Sequence, residues 1–105
     1  MQSGLPTDRF IFEGFLPPKK GRQKHLSSLA EEKRTIVFYE SPHKLVKTLQ
    51  QLMLYFGPDR KLVILRELTK LNETVYSLNL QSATLFFEQN PPKGELVVCV
   101  EGIKS

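Results

Sequence analysis

The stretch FYESPHK (38–44) holds a carboxylate, a hydroxyl and an imidazole, Glu40, Ser41 and His43, where a strand-like run gives way to a helix-like one. A carboxylate at such a junction could accept the proton of a substrate hydroxyl. The plainer alternative stays open: Ser41 suits an N-cap, Pro42 the first helical position, and Glu40 the positive end of the helix dipole. RELTKLNE (66–73) is a second polar cluster, in which Arg66, Glu67, Thr69, Lys70, Asn72 and Glu73 follow an apolar run. Its bland reading is a charged loop whose Arg66 and Glu67 pair at the surface for at most about 1 kcal/mol. PPKKGRQKH (17–25) supplies Lys19, Lys20, Arg22, Lys24 and His25 ahead of Glu31 and Glu32. A helix dipole favours the opposite order, acids first and bases last, whereas a basic start suits a phosphate backbone. A solvated basic loop would explain the same residues.

Other chemistries are excluded by what the sequence lacks. Two histidines and the single Cys99 are too few for a zinc site, and neither a glycine-rich phosphate loop nor a G-x-S-x-G motif occurs. No metal is expected. Cys99 sits in the apolar run LVVCV, where it suits burial as a small hydrophobe in a reducing cytoplasm. MQSGLPTDRF at the start lacks the layout of a secretory signal, and the longest apolar runs, Leu62 to Leu65 and Leu96 to Val100, are far below a membrane span. A net charge of +4 is a mild bias towards polyanions.

Elements must position these clusters, and 105 residues allow one domain, 1–105, with a core of its own. Hydrophobic residues at 40% and charged residues at 25% fit an ordinary globular chain. FIFEGFL (10–16) reads as a strand with Phe10, Phe12 and Gly14 on one side, stopped by Pro17-Pro18. A helix is expected from Lys19 to about Lys33, with Leu26, Leu29 and Ala30 on one face. TIVFYE (35–40) is apolar on both faces, as expected of an inner strand covered on both sides. Leu45, Val46, Leu49, Leu52, Met53 and Phe56 form the stripe of a helix begun by Ser41 and ended by a left-handed Gly57 and Pro58. KLVILREL (61–68) is a second inner strand, and TVYSLNL (74–80) alternates as a strand nearer an edge. Ser82 can cap a short helix to Gln89, PPKG (91–94) turns the chain, and ELVVCVE (95–101) is the last strand. The order β-α-β-α-β-β-α-β predicts an α/β fold: a mixed sheet of about five strands flanked by helices, parallel where a helix crosses over. Ligands in such sheets collect beyond the carboxyl ends of the strands, which is where Glu40 and Arg66 fall.

Taken in order, SGLPTDRF (3–10), FEGFLPPKKGR (12–22), TIVFYESPHK (35–44), RELTKLNE (66–73) and KGELVVCVEG (93–102) resemble the tetrapyrrole methylase superfamily. The resemblance is to the C-terminal half of its rRNA-methylating branch and covers almost all of the chain. It implies a two-domain methyltransferase that moves a methyl group from S-adenosyl-L-methionine to a cytidine 2′-hydroxyl in the decoding region of 16S rRNA. It further implies a cytoplasmic homodimer, with the cofactor in a cleft between the domains. The glycine-rich N-terminal block of that pattern is absent here, so the fragment alone is expected to be inactive. Family resemblance places Tyr39, Glu40, Val63, Ile64, Leu65, Gly94, Glu95 and Leu96 on the C-terminal wall of the cofactor cleft. Glu40 is the candidate base, and Ser41 and Glu67 share the cleft. Lys19, Lys20, Arg22, Lys24, His43, Lys44, Arg66 and Thr69 are the candidate RNA contacts. Lys44 stands where the family often has arginine, which keeps the charge and loses the planar fork. Two readings of another class compete: a freestanding RNA-binding module, and a dimerisation scaffold without catalysis.

Overall fold

Short runs rich in β-branched and aromatic residues become strands, and the runs of helical period between them become helices. In the computed structural model, which describes residues 9–18, 20–67 and 73–103, the chain forms β1 (Phe10–Phe15), α1 (Arg22–Leu29), β2 (Thr35–Glu40), α2 (Leu45–Phe56), β3 (Lys61–Glu67), β4 (Glu73–Asn79), α3 (Leu80–Gln89) and β5 (Leu96–Val100). The sheet has five strands in the order β1-β2-β5-β3-β4. β1 and β2 are parallel, whereas β5 lies antiparallel between β2 and β3, and β4 is antiparallel to β3. β1, β2 and β3 therefore run the same way. Their carboxyl ends, Phe15, Glu40 and Glu67, share one edge of the sheet with the start of β5 at Leu96.

The main core lies between the helices and one sheet face. Leu26 and Leu29 of α1, Leu45, Leu49, Leu52 and Phe56 of α2, and Leu80, Ala83 and Phe87 of α3 meet Ile36, Phe38, Leu62, Ile64, Leu96, Val98 and Val100 there. Each fully buried Leu or Phe contributes roughly 1.5–3 kcal/mol relative to exposure. The opposite face differs from the expectation that β2 is covered on both sides. Among the described residues it carries only strand side chains: Val37, Val63 and Cys99, with Leu65 and Val97 beside them. Phe10, Phe12, Phe15, Tyr39 and Val75 are exposed. Burial raises the pKa of the Cys99 thiol.

Four boundaries depart from the sequence reading. α1 is shorter than 19–33, because Gly21 takes φ 79° at its N-cap and the chain after Leu29 closes in tight turns, Glu31 N–H to the Ser28 carbonyl and Glu32 N–H to the Leu29 carbonyl. α2 begins at Leu45 and not at Ser41. Lys44 N–H reaches back to the Ser41 carbonyl at 3.1 Å, closing a turn over Pro42 and His43 before the helix starts. Gly57 has positive φ (90°) but ψ 151°, an extended mirror region that glycine tolerates, and not a left-handed cap. α3 is capped by Asn79, whose side-chain oxygen accepts from Ser82 N–H at 2.7 Å, so Ser82 receives the cap bond and does not supply it.

Two further devices shape the edges. A bulge in β1 shifts the register between Phe12 and Gly14, with Gly14 at φ 67°. Phe12 thus pairs with Val37, and Phe15 with Tyr39, which puts both rings on the open face. At the far end Gly102 is buried, and a Cβ there would run into the Lys33 carbonyl. Ile103 N–H donates to the Glu32 carbonyl at 2.8 Å, tying the chain after β5 to the loop before β2.

Candidate functional site

The turn after Glu40 and the entry to β5 leave a cleft at the carboxyl edge of β1 and β2. Phe15, Tyr39, Glu40, Ser41, Pro42, Gly94, Glu95 and Leu96 line about 620 Å³, within the usual range for a small-molecule site. Its wall is largely apolar. Tyr39 lies 5.3 Å from the Phe12 ring, edge to face, and 5.4 Å from the tilted Phe15 ring. Leu96 forms the floor and is fully buried.

Glu40 is a buried carboxylate at 7% exposure, and a buried charge needs partners. Its Oε1 accepts from Ser41 N–H at 2.9 Å and its Oε2 from the Thr48 hydroxyl at 2.6 Å. Thr48 Oγ1 in turn accepts from Arg22 Nη2 at 2.9 Å. Arg22 Nε donates to Gln51 Oε1 at 2.8 Å, and Nη1 to the Pro17 carbonyl at 3.0 Å. A continuous polar chain thus runs from the strand end through α2 to α1.

The structure brings together Tyr39, Glu40, Gly94, Glu95 and Leu96 of the residues assigned to the cofactor wall. It does not bring in Val63 and Ile64, which are buried in the sheet, or Leu65, which lies on the open face. Lys20, Lys24, His43 and Lys44 are exposed, as phosphate contacts require. Arg22 is half-buried, and each of its guanidinium nitrogens donates one bond inside the protein, so it braces α1 against α2. Arg66 is half-buried at the end of β3, and Lys19 and Thr69 lie outside the described residues. His25 meets Glu13 at 2.6 Å across the β1–α1 gap.

Sequence reasoning missed Phe15, Pro42, Thr48 and Gln51. Thr48 carried a signal, since it is a polar residue three positions after Leu45 on the buried stripe of α2. Phe15 carried one too, because the aromatic alternation changes phase after Phe12.

The family model for Tetrapyrrole (Corrin/Porphyrin) Methylases matches residues 2–84 of this chain. The chain belongs to the tetrapyrrole methylase family. As a tetrapyrrole methylase it is 48% identical over 103 residues to ribosomal RNA small subunit methyltransferase I of Synechocystis sp., covering 97% of this chain and 37% of that protein. The namesake from Pseudomonas aeruginosa is 47% identical, with 95% and 36% covered, and that from Thermotoga maritima 44%, with 95% and 45% covered. The chain spans about two-fifths of the length of these curated relatives. Two solved structures share the methylase fold at low identity. A cobalamin biosynthetic enzyme, cobalt precorrin-4 methyltransferase, matches with TM-score 0.66 and 14% identity over 92% of this chain and 43% of that one. The methyltransferase CobJ matches with TM-score 0.70 and 22% identity over 95% and 44%.

Proposed function

We propose that this chain forms the C-terminal wall of the methyl-donor cleft in an S-adenosyl-L-methionine-dependent methyltransferase acting on the 2′-hydroxyl of a cytidine in the decoding region of 16S rRNA. The observation that carries this reading is the apolar cleft at the carboxyl edge of β1 and β2, in a chain nearly half identical to proteins named as small-subunit rRNA methyltransferases. The lining fits the cofactor: the exposed flat rings of Tyr39 and Phe15 suit the adenosine, with strand-end backbone for its polar edges. S-adenosyl-L-methionine supplies an electrophilic methyl group on sulfur. What the protein adds is orientation, exclusion of water and a place for the hydroxyl proton. Glu40 is the candidate base. A carboxylate offers about four acceptor sites, so the bonds from Ser41 and Thr48 leave capacity for a substrate hydroxyl.

Lys20, Lys24, His43 and Lys44 are the proposed RNA contacts, with a homodimer in the cytoplasm as the working assembly. The chain covers 36–45% of the length of these relatives, which supports inactivity of the 105 residues by themselves. The exposed aromatic face of the sheet favours, as a second reading, an interaction module without catalysis.

The test is methyl transfer from labelled S-adenosyl-L-methionine to small-subunit rRNA by the protein carrying this chain, followed by nucleoside analysis. Label in 2′-O-methylcytidine is expected, and label confined to a base, or none, would count against the reading. Glu40→Gln preserves shape, and a base role predicts a loss of about a hundredfold or more in turnover with cofactor affinity kept. Turnover at the wild-type level would remove Glu40 from the chemistry.

A further inference from the structure

Among the described residues, two threonines are buried on helices, Thr48 of α2 and Thr84 of α3, and they use their hydroxyls differently. Thr84 Oγ1 donates to the Leu80 carbonyl one turn back at 2.7 Å, the usual local bond of a helical threonine. Thr48 Oγ1 leaves its own helix and donates to Glu40 Oε2 at 2.6 Å, across the turn that follows β2. Arg22 fixes that direction. Its Nη2 donates to Thr48 Oγ1 at 2.9 Å, and a guanidinium has no lone pair with which to accept in return, so the hydroxyl hydrogen is left for the carboxylate. Ser41 N–H holds the other oxygen of Glu40 at 2.9 Å. With one donor on each oxygen, the plane of the carboxylate is set from two sides.

Thr48 does not meet a substrate itself: it is 1% exposed and is not among the residues that line the cleft. Glu40 does line it. Any effect of the threonine on chemistry therefore passes through the carboxylate. A buried carboxylate takes donors for stability alone. Here the donor is itself held by a third residue, and the carboxylate stands at the sheet edge where ligands collect, which is the arrangement of a base with an orienting partner. Without the Thr48 bond, Ser41 N–H would anchor Oε1 alone and the carboxylate could turn about it.

We infer that Thr48 is a positioning residue for the proposed base, its hydroxyl held by Arg22 so that the Glu40 carboxylate presents a fixed lone pair to the substrate hydroxyl. The inference rests on the reading of Glu40 as the base and adds to it the residues that aim it.

The experiment is a double-mutant cycle on the protein carrying this chain: wild type, Thr48→Val, Glu40→Gln and the double variant, with Thr48→Ser as the conservative control. Single-turnover methyl transfer to small-subunit rRNA at saturating RNA and S-adenosyl-L-methionine reads the chemical step. RNA and S-adenosylhomocysteine affinities are measured on the same preparations. Thr48→Val should lower the rate about tenfold or more, the scale of a misaimed group, with both affinities within about twofold of wild type. Thr48→Ser restores the hydroxyl and should recover most of the rate. In the Glu40→Gln background Thr48→Val should cost nothing further, since no base is left to aim. Should Thr48→Val not fold, Thr48→Cys, whose thiol is a weak donor, takes its place in the cycle with the same outcomes. A wild-type rate in Thr48→Val, with Glu40→Gln slow, would overturn the inference alone. An equal loss in both backgrounds would overturn it by making the threonine structural only, and a loss of affinity with the saturated rate kept would overturn it by moving its effect to binding. A wild-type rate in Glu40→Gln, or no transfer by wild type, would overturn both this inference and the reading it rests on.

Discussion

Thr48 holds the Glu40 carboxylate from one side and takes a bond from Arg22 on the other. Thr48→Val keeps the shape and removes both bonds, leaving a buried carboxylate oxygen without its donor. A loss of about 1–3 kcal/mol is expected, read as a lower urea midpoint at unchanged slope; an unchanged midpoint would show that the chain of bonds is dispensable. At the opposite end of the sheet, Arg34 donates to Glu32 from its side chain and its backbone, holding the Glu32 carboxyl down from 4.5 to about 2. A depressed folded-state pKa adds stability that is complete above about pH 4.5 and is lost as pH falls towards 2. The stability difference between wild type and Glu32→Gln should therefore shrink across that window, and a difference independent of pH would refute the pairing. Glu40 was legible at the ligand edge because it ends an inner strand, whereas Leu96 was placed there by family resemblance alone. The bracing bonds of Arg22 were not legible, because a cation in a basic run reads as solvated until the groove beneath it is known.

The element scale shows where sequence signals suffice. β2 falls on TIVFYE as read, and the stripe of α2 holds, because period and β-branching act locally. The helix starts were misplaced by three-residue turns and by a side-chain cap from the preceding strand, which hydrophobic period does not encode. The face of Phe15 was hidden by the one-residue bulge at Glu13–Gly14, and without that bulge the ring would leave the cleft. Gly102 is the clearest element-scale test. A methyl group there meets backbone carbonyls of the loop before β2, which cannot swing aside as a side chain can. Gly102→Ala should cost at least about 2 kcal/mol by overpacking and free the Ile103–Glu32 bond to hydrogen exchange. A variant that melts like wild type would show that the loop yields.

At the scale of the whole molecule, three helices share one face of the sheet, and among the described residues the other face carries no helix. The expectation that β2 is covered on both sides came from its unbroken apolar run, and that run is real: Val37 is buried by its strand neighbours, while Tyr39, Phe12 and Phe15 remain exposed. Exposed rings in one patch should bind a hydrophobic dye such as anilinonaphthalene sulfonate, and Phe12→Lys should lower that signal without lowering the melting temperature. Equal dye binding would mean that the patch is not what the dye reads. The fold order and the mixed sheet were readable from alternation alone, whereas the insertion of β5 between β2 and β3 was not, because antiparallel insertion is a long-range pairing. That insertion is what brings Leu96 beside Glu40 and makes the cleft. The most direct test of the cleft as a methyl-donor site is ultraviolet cross-linking of labelled S-adenosyl-L-methionine to the protein carrying this chain, with the labelled peptides mapped by mass spectrometry. Label on peptides containing Tyr39 to Pro42 or Gly94 to Leu96, displaced by S-adenosylhomocysteine, is the predicted result. Displaceable label that spares both segments would contradict the account.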